Sequence, residues 1–352
     1  MAAYDAFLLL SFGGPERPDD VMPFLENVTR GRGVPAERLA EVAEHYYAAG
    51  GASPINSQCR DLLAGVRAAG LDLPMYWGNR NWDPFLADTV RQMADDGVRR
   101  AISFVTSAYS SYSACRQYSG DIERAAAEVG SGAPRIDKIR PYFNHPGFIE
   151  PFAANTEAAL ATLPEQVRSG ARLVFTAHSV PVGMAAVSGS VSAGTARPAV
   201  AGGRYAAELA EAARLISERV HGGSLGHDLV FQSRSGPPGQ PWLEPDVRDH
   251  IKSLANSGVS AVVVVPVGFV SDHMEVVHDL DVEAAETAAS LGLPFARAAA
   301  PWSSPRFAEM VTELVAERTS PLAVPLALGD MGPAAAVCPA DCCRYGPRAV
   351  RT

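Results

Sequence analysis

Short runs of apolar residues alternate along the chain with longer stretches in which apolar residues recur every three or four positions. The short runs predict buried strands, and the longer stretches predict amphipathic helices. The predicted strands span 4–11, 74–78, 101–107, 135–139, 172–177, 228–232, 260–265 and 294–298. The predicted helices include 35–48, 84–95, 204–221 and 305–318. This alternation predicts an α/β protein whose parallel sheets are covered by helices on both faces.

The predicted strands divide into two sets of four, which indicates two similar doubly wound halves. The strands at 4–11 and 172–177 correspond, because each is apolar and runs through a loop containing Ser or Thr to a proline. We expect an N-terminal lobe over 1–145, a C-terminal lobe over 146–320 and a cysteine-containing tail over 321–352. The last helix of the second lobe is a candidate to pack back on the first lobe. Such folds bind ligands beyond the carboxyl ends of their strands, so the site is expected in the cleft between the lobes.

Charge and hydropathy exclude some classes of partner. The 352 residues carry a formal net charge of −9, which argues against nucleic acid. The sequence has no apolar run of about 18 residues, so no integral membrane segment is expected. The N-terminus lacks the charge pattern of a signal peptide. A cytoplasmic location and a monomeric state are therefore the default expectations.

One predicted helix collects carboxylates on a single face. Glu275, Asp279 and Glu283 stand at i, i+4 and i+8, a spacing that stacks side chains along an α-helix. Like charges at this spacing destabilise a helix slightly, so a site that gathers metal ions or protons explains them better than stability does. Two different interpretations stay open. Asp272 and Glu275 fit a capping box at the start of the helix, and Asp279 and Glu283 could form a solvated acidic face.

A histidine ends one of the predicted strands. His178 follows the apolar run 172–177, where an imidazole could bind a divalent metal or move protons near neutral pH. The alternative is a histidine that only hydrogen-bonds to the backbone at the strand end.

Several ordered segments resemble the signature blocks of ferrochelatases. They are LLLSFGGP at 8–15, GGASP at 50–54, TAHSVP at 176–181, FQSRSGP at 231–237, PWLEPD at 241–246 and PVGFVSDHME at 266–275. The resemblance extends from about residue 4 to about residue 316. It implies two Rossmann-like lobes of the chelatase fold and the insertion of ferrous iron into a porphyrin in haem biosynthesis.

The resemblance also implies roles for the acidic helix and the strand-end histidine. His178 would face the porphyrin centre, Glu275 would oppose it across the cleft, and Asp279 and Glu283 would relay metal or protons from outside. The Arg- and Ala-rich composition suggests an actinobacterial source, and such bacteria generally make haem through coproporphyrin. We therefore expect coproporphyrin III as substrate, with protoporphyrin IX as the nearest alternative. A non-catalytic haem or metal carrier and a cobalt or nickel chelatase stay open as well.

Porphyrin contacts are expected from aromatic and polar residues. The candidates for the apolar walls are Trp242, Phe12, Tyr46 and Tyr118, and the resemblance matches Ser53 and Tyr118 to family positions that contact the macrocycle or its propionates. Arg30, with Arg32, could pair with the propionates, since guanidinium groups suit carboxylates; the alternative is a solvated helix end. Many coproporphyrin-using members carry a tyrosine where this chain has Phe12, so the resemblance does not support an axial tyrosine here.

Three of the five cysteines lie in the tail. Some ferrochelatases hold a 2Fe–2S cluster with three cysteines near the C-terminus and one from the body of the chain. By region, the resemblance assigns these roles to Cys338, Cys342, Cys343 and Cys115. The tail spacing is tighter than is usual in the family. A structural zinc and incidental thiols are the alternatives, and Cys59 is the spare.

Overall fold

The computed structural model describes residues 4–31, 33–189, 202–236, 239–339 and 342–346. Arg32, named above beside Arg30, lies outside the described residues, as does part of the predicted tail. Within the described ranges, no helix is both long enough and apolar enough to cross a membrane.

The strands form two four-stranded parallel sheets. They are β1 Ala6–Ser11, β2 Met75–Asn79, β3 Arg100–Val105, β4 Arg135–Lys138, β5 Ala171–His178, β6 His227–Gln232, β7 Ala261–Val265 and β8 Phe295–Arg297. The strand orders are β2-β1-β3-β4 and β6-β5-β7-β8. The second sheet therefore repeats the topology of the first, which confirms the prediction of two similar doubly wound lobes. Every strand matches its predicted range to within two residues at each end.

The α-helices cover the sheets and join their strands. They are α1 Val21–Thr29, α2 Ala36–Ala48, α3 Ile55–Ala68, α4 Leu86–Asp95, α5 Tyr118–Val129, α6 Pro146–Thr162, α7 Glu165–Arg168, α8 Val182–Ala186, α9 Gly203–Ser217, α10 Val247–Asn256, α11 Met274–Val276, α12 Ala285–Ser290 and α13 Pro305–Thr319. Two segments, Tyr112–Gln117 and Val277–Ala284, are π-helical. Short 3-10 turns occur at Pro18–Asp20, Gly130–Gly132, His221–Gly223 and Pro301–Ser303.

One helix ends earlier than its apolar pattern predicts. The predicted helix 204–221 stops at Ser217, and Val220 adopts an extended backbone with its side chain buried. Gly222 follows with a positive φ of 65°, a conformation that glycine adopts without strain. The turn lets Val220 stay in the core after the helix has ended.

A shared apolar core joins the two sheets. Successive side chains of a strand point to opposite faces, so Phe7 and Leu9 of β1 face the same cluster as Val263 and Val265 of β7. The other face of each sheet packs against a smaller cluster of its own. Helix α13 packs against α3 and α6, so the C-terminal helix contacts elements of both predicted lobes. The lobe boundaries at 145 and 320 stay a prediction.

Candidate active site

His178 lies at the carboxyl end of β5, where its neighbour fixes the ring. The imidazole Nδ1 donates a hydrogen bond to the carbonyl of Ser179. Ser179 is held in turn by its N–H, which donates to Gln232 O at 2.8 Å, and by its hydroxyl, which donates to Leu243 O at 2.9 Å. Because a carbonyl can only accept a hydrogen bond, Nδ1 carries the ring proton in this contact. In the neutral ring, Nε2 is then the atom that carries the lone pair.

Glu275 faces His178 from the first turn of α11, after the loop that follows β7. The distance from His178 Nε2 to Glu275 Oε2 is 3.9 Å, and the two side chains are 34% and 52% exposed. This separation is too long for a direct hydrogen bond. It fits one ion held between both atoms, since metal–nitrogen and metal–oxygen bonds are roughly 2.1 Å each. The pair can thus bind a metal ion or accept protons on the same side of a ligand.

The N-terminal lobe approaches this pair through α2. Burial, with a contribution from the Glu275 carboxylate, raises the pKa of the Tyr46 hydroxyl well above its ordinary value. His45 of the same helix stacks on His278 of the π-helical segment, with ring centroids 3.7 Å apart. Residues from both predicted lobes therefore lie around the pair formed by His178 and Glu275. The sequence analysis missed His45 and His278, because nothing in their local pattern indicates that the two helices meet.

The capping box predicted for Asp272 and Glu275 is wrong. His273 is the N-cap of α11, and its Nδ1 accepts a hydrogen bond from the Glu275 N–H at 3.2 Å. Asp272 instead binds Arg297 Nη1 at 2.6 Å and accepts from the Ala300 N–H at 3.2 Å. The Arg297 guanidinium competes successfully for Asp272 because a charged donor binds a carboxylate more strongly than an N–H does. The carboxylate of Glu275 takes no part in capping.

The acidic helix is not α-helical throughout. It is π-helical over Val277–Ala284, a form that is rare and often found at functional sites. Asp279 points inward, where it accepts hydrogen bonds from Ser233 Oγ and from Gln232 Nε2, the latter at 3.3 Å. Glu283 lies further out and binds Arg248 Nη1 at 3.1 Å. The alternative of a solvated acidic face therefore fails for Asp279, since this side chain is half-buried and accepts hydrogen bonds from Ser233 and Gln232.

Burial sets the protonation of Asp279. Burial, partly offset by the hydrogen bond from Ser233, raises the pKa of its carboxyl from 3.8 to about 6. The folded protein therefore binds a proton more tightly here than the unfolded chain does. Between pH 4 and pH 6 this group makes stability fall as pH rises, and the loss persists at higher pH.

Asp279→Asn should remove this pH-dependent loss. The shift from 3.8 to about 6 corresponds to about 3 kcal/mol at neutral pH. We expect the difference in the free energy of unfolding, variant minus wild type, to increase by up to this amount from pH 4 to pH 7. Urea denaturation of both proteins at the two pH values measures the difference. If the two proteins differ in the free energy of unfolding by the same amount at pH 4 and at pH 7, Asp279 has an ordinary pKa.

The sequence matches one family of known proteins over most of its length. The family model described as Ferrochelatase matches residues 4–319.

The chain belongs to the ferrochelatase family.

A relative named coproporphyrin III ferrochelatase from Nocardia farcinica is 58% identical over 91% of this chain and 90% of its own length. A relative of the same name from Streptomyces griseus is 52% identical over 97% of this chain and 94% of its own length. Among solved structures, SirB from Bacillus subtilis with Fe³⁺ superposes with a TM-score of 0.54 at 13% identity. That superposition covers 92% of this chain and 100% of SirB, which shows a shared chelatase fold. The membership makes this protein an enzyme of the ferrochelatase type.

The predicted porphyrin contacts occupy different environments. Phe12 is 38% exposed, and its ring meets Phe24, which in turn contacts Tyr46 and Trp82. Phe12, Phe24, Tyr46 and Trp82 therefore form one aromatic cluster. The sequence analysis missed Phe24 and Trp82, because the contacts that gather them come from separate segments.

Ser53, Tyr118 and Arg30 lie outside that aromatic cluster. Ser53 is buried, and its N–H donates to Pro15 O at 2.7 Å. Tyr118 is also buried, in the apolar cluster below β1 and β3, with the Arg80 guanidinium 5.8 Å from its ring centroid. Arg30 is exposed at the end of α1. Their roles toward a porphyrin stay predictions.

Three pairs among the four predicted cluster cysteines interact in the structure. Cys342 Sγ and Cys343 Sγ are 3.6 Å apart, Cys343 hydrogen-bonds to Cys115, and Cys338 hydrogen-bonds to Cys342. The bond from Cys343 lowers the pKa of the Cys115 thiol to about 7. Cys59 is buried separately in α3. Among the described residues, these thiols do not form a ready arrangement of three or more metal ligands.

Arg116 binds the tail to the N-terminal lobe at this point, and Lys138 binds the segment that carries Cys115. Arg116 Nε donates to Cys342 O at 2.6 Å, and its Nη2 donates to Pro339 O at 3.1 Å. Lys138 Nζ donates to Cys115 O at 2.5 Å. On the other side, the Gly189 N–H donates to Cys343 Sγ at 3.1 Å. The four cysteines with these partners are called the tail thiol site below.

Proposed function

We propose that the protein inserts ferrous iron into coproporphyrin III in haem biosynthesis. In this reaction Fe²⁺ forms bonds to the four pyrrole nitrogens, and the two pyrrole N–H bonds break to release two protons. The observation that carries the proposal is the opposition of His178 Nε2 and Glu275 Oε2 at 3.9 Å at the carboxyl edge of the second sheet. Metal insertion needs ion ligands and proton acceptors together, and this pair supplies both.

The tautomer of His178 determines which ring nitrogen can react. With Nδ1–H bound to Ser179 O, only Nε2 can accept a pyrrole proton or bind the incoming ion. The Glu275 carboxylate does not cap its helix. Beside His178, it can accept a proton or bind the metal ion. Asp279 and Glu283 follow along the π-helical segment and serve as the outer relay in this proposal. The relay runs from Glu283, beside Arg248, to the half-buried Asp279 and then to Glu275.

The porphyrin must be bent for insertion, because a planar ring hides its nitrogen lone pairs. Binding at the ring periphery can supply the free energy for that distortion. In the proposal, Phe12 and Tyr46 contact the macrocycle, and Ser53 and Tyr118 contribute at its edge. Arg30, exposed at the end of α1, is assigned to a propionate. The partly exposed ring of Phe12 supports the apolar part of this assignment.

The choice of coproporphyrin III is supported by the names of the Nocardia and Streptomyces relatives. Steady-state metalation under anaerobic conditions tests it directly. We expect a higher kcat/KM with coproporphyrin III than with protoporphyrin IX, because its additional propionates offer further contacts to cationic and polar groups. A higher kcat/KM for protoporphyrin IX would overturn the substrate and leave the reaction in place.

The proposal includes a 2Fe–2S cluster at Cys115, Cys338, Cys342 and Cys343. The donor set fits in number and kind, because four thiolates are the usual ligands of such a cluster. The Gly189 N–H bond to Cys343 Sγ and the nearby Lys138 ammonium would both stabilise the negative charge of ligated sulfur. When bound, the cluster would crosslink the tail to the N-terminal lobe. A cytoplasmic location and a monomeric state complete the proposal and stay predictions.

A further inference from the structure

Two buried tyrosines lie between the tail thiol site and the pair formed by His178 and Glu275. Tyr205, in the first turn of α9, is 7% exposed, and its hydroxyl donates to the His178 carbonyl at 2.9 Å. Tyr109, in the loop after β3, donates from its hydroxyl to the Val267 carbonyl at 2.9 Å. Val267 lies near the start of the loop between β7 and the helix that carries Glu275. Each tyrosine therefore fixes the backbone of one active-site strand end.

The two tyrosine rings pack against each other. Their centroids are 6.3 Å apart and their planes meet at 85°, an edge-to-face contact. A displacement of one ring must therefore be accommodated by the other, because both are enclosed in the shared core. The strand end at His178 and the loop toward Glu275 are thus linked by one packed pair.

The backbone of Tyr205 leads to the tail thiol site. Its N–H donates to Ser188 Oγ at 2.8 Å, and the residue after Ser188, Gly189, donates its N–H to Cys343 Sγ. The segment that contains Ser188 and Gly189 packs closely against the start of α9. A Cβ on Gly189 would collide with the Arg204 side chain, and a Cβ on Gly203 would collide with the carbonyl of Ala185. A shift of Cys343 must therefore move the start of α9.

Tyr109 leads to the same site from the other side. Ser110 follows it and donates from its N–H and its hydroxyl to the buried Glu208 carboxylate of α9, at 2.6 and 2.8 Å. Ser111 then caps the π-helical segment that carries Cys115, and its hydroxyl accepts from the Ala114 N–H at 3.0 Å. Both branches therefore start at a cysteine of the tail thiol site and end at a backbone carbonyl of the active site.

We propose that Tyr109 and Tyr205 are positioning residues that couple the tail thiol site to His178 and Glu275. The position of the Cys343 sulfur sets the position of Gly189 and the start of α9. Through the Tyr205 hydroxyl, that position sets the orientation of the His178 backbone and ring. The inference rests on the proposed function for its meaning in the reaction, but the coupling itself is a property of the folded chain.

The coupling is tested with a double-mutant cycle read by NMR. The full-length wild type, Cys343→Ser, Tyr205→Phe and the double variant are labelled with ¹⁵N-histidine and compared anaerobically without porphyrin at one pH. The His178 ring resonances are assigned by their absence from His178→Ala. We expect Cys343→Ser to shift these resonances in the wild-type background and to leave them unchanged in the Tyr205→Phe background. Equal shifts in both backgrounds, or no shift in the wild-type background, would overturn the coupling.

Tyr142→Phe is the matched control background. Tyr142 is equally buried, and its hydroxyl donates to the Val105 carbonyl at 3.0 Å at the end of a strand of the other sheet. Loss of the Tyr142 hydroxyl should destabilise the fold about as much as Tyr205→Phe does. The shift of the His178 resonances caused by Cys343→Ser should persist in this background. Loss of that shift in Tyr142→Phe would assign the effect to general loosening and overturn the role of Tyr205.

Kinetics give a second readout that separates this inference from the proposed function. Tyr205→Phe should lower kcat for metalation roughly five- to tenfold, as expected for one lost buried hydrogen bond, with KM for the porphyrin unchanged. A raised KM with unchanged kcat would contradict a role through His178. If the wild type metalates no porphyrin, the proposed function fails, and the NMR cycle still decides whether the coupling exists.

Discussion

His178→Ala should reduce the rate of iron insertion by roughly 10²- to 10⁴-fold, the contribution typical of a positioned proton-transfer group. The variant loses Nε2, the one imidazole atom that faces Glu275 with a free lone pair. Porphyrin binding should persist, because the proposed wall at Phe12 and Tyr46 lies on separate elements. Anaerobic stopped-flow metalation measures the rate, and quenching of protein fluorescence measures porphyrin affinity.

His250→Ala is the matched control for that experiment. His250 lies on α10 and binds Asp228 at 3.0 Å, away from the opposed pair of His178 and Glu275. It should metalate at close to the wild-type rate. If His178→Ala binds porphyrin and inserts iron at the wild-type rate, His178 has no catalytic role. A parallel loss in both variants would point to a general folding defect instead.

The proposed 2Fe–2S cluster predicts that Cys343→Ser abolishes the visible absorption of the anaerobically purified protein, together with its iron and acid-labile sulfide. The reason is the position of Cys343, which contacts both Cys115 and Cys342 and receives the Gly189 N–H. A serine hydroxyl is a poor substitute for thiolate as an iron ligand. Absorption spectra with iron and sulfide analysis provide the measurement.

Cys59→Ser is the control for the tail thiol site, since Cys59 is a buried thiol of α3 that lies apart from it. Its absorption and iron content should equal those of the wild type. Colourless wild-type protein with stoichiometric zinc would replace the cluster by a structural zinc site. Colourless protein without bound metal would leave the four thiols as incidental.

The sequence was sufficient to predict the two lobes and the strand ends. Parallel strands buried on both faces appear as short apolar runs, and the runs at 4–11 and 260–265 match β1 and β7 closely. His178 was found for the same reason, since it directly follows such a run and closes β5. Glu275 was singled out by its i, i+4 and i+8 spacing with Asp279 and Glu283, and the resemblance then gave it a role opposite His178; the two side chains are 3.9 Å apart in the structure.

Features set by distant contacts could not be predicted from local pattern. Asp272 fits a helix cap by its spacing, yet Arg297, which follows it by 25 positions, binds it instead. The spacing of Glu275, Asp279 and Glu283 suits an α-helix, and no residue in it signals the π-helical geometry. The contacts of Tyr205 with His178 and of His45 with His278 likewise depend on how separate elements pack.

The reaction of Fe²⁺ with the anaerobic complex of wild-type protein and coproporphyrin III tests the central claim most directly. Free-porphyrin fluorescence and proton release are followed together in weakly buffered solution. The account predicts that fluorescence disappears with two protons released per porphyrin and that excess porphyrin is then turned over. Porphyrin that stays bound and fluorescent, with no protons released after Fe²⁺ is added, would contradict it.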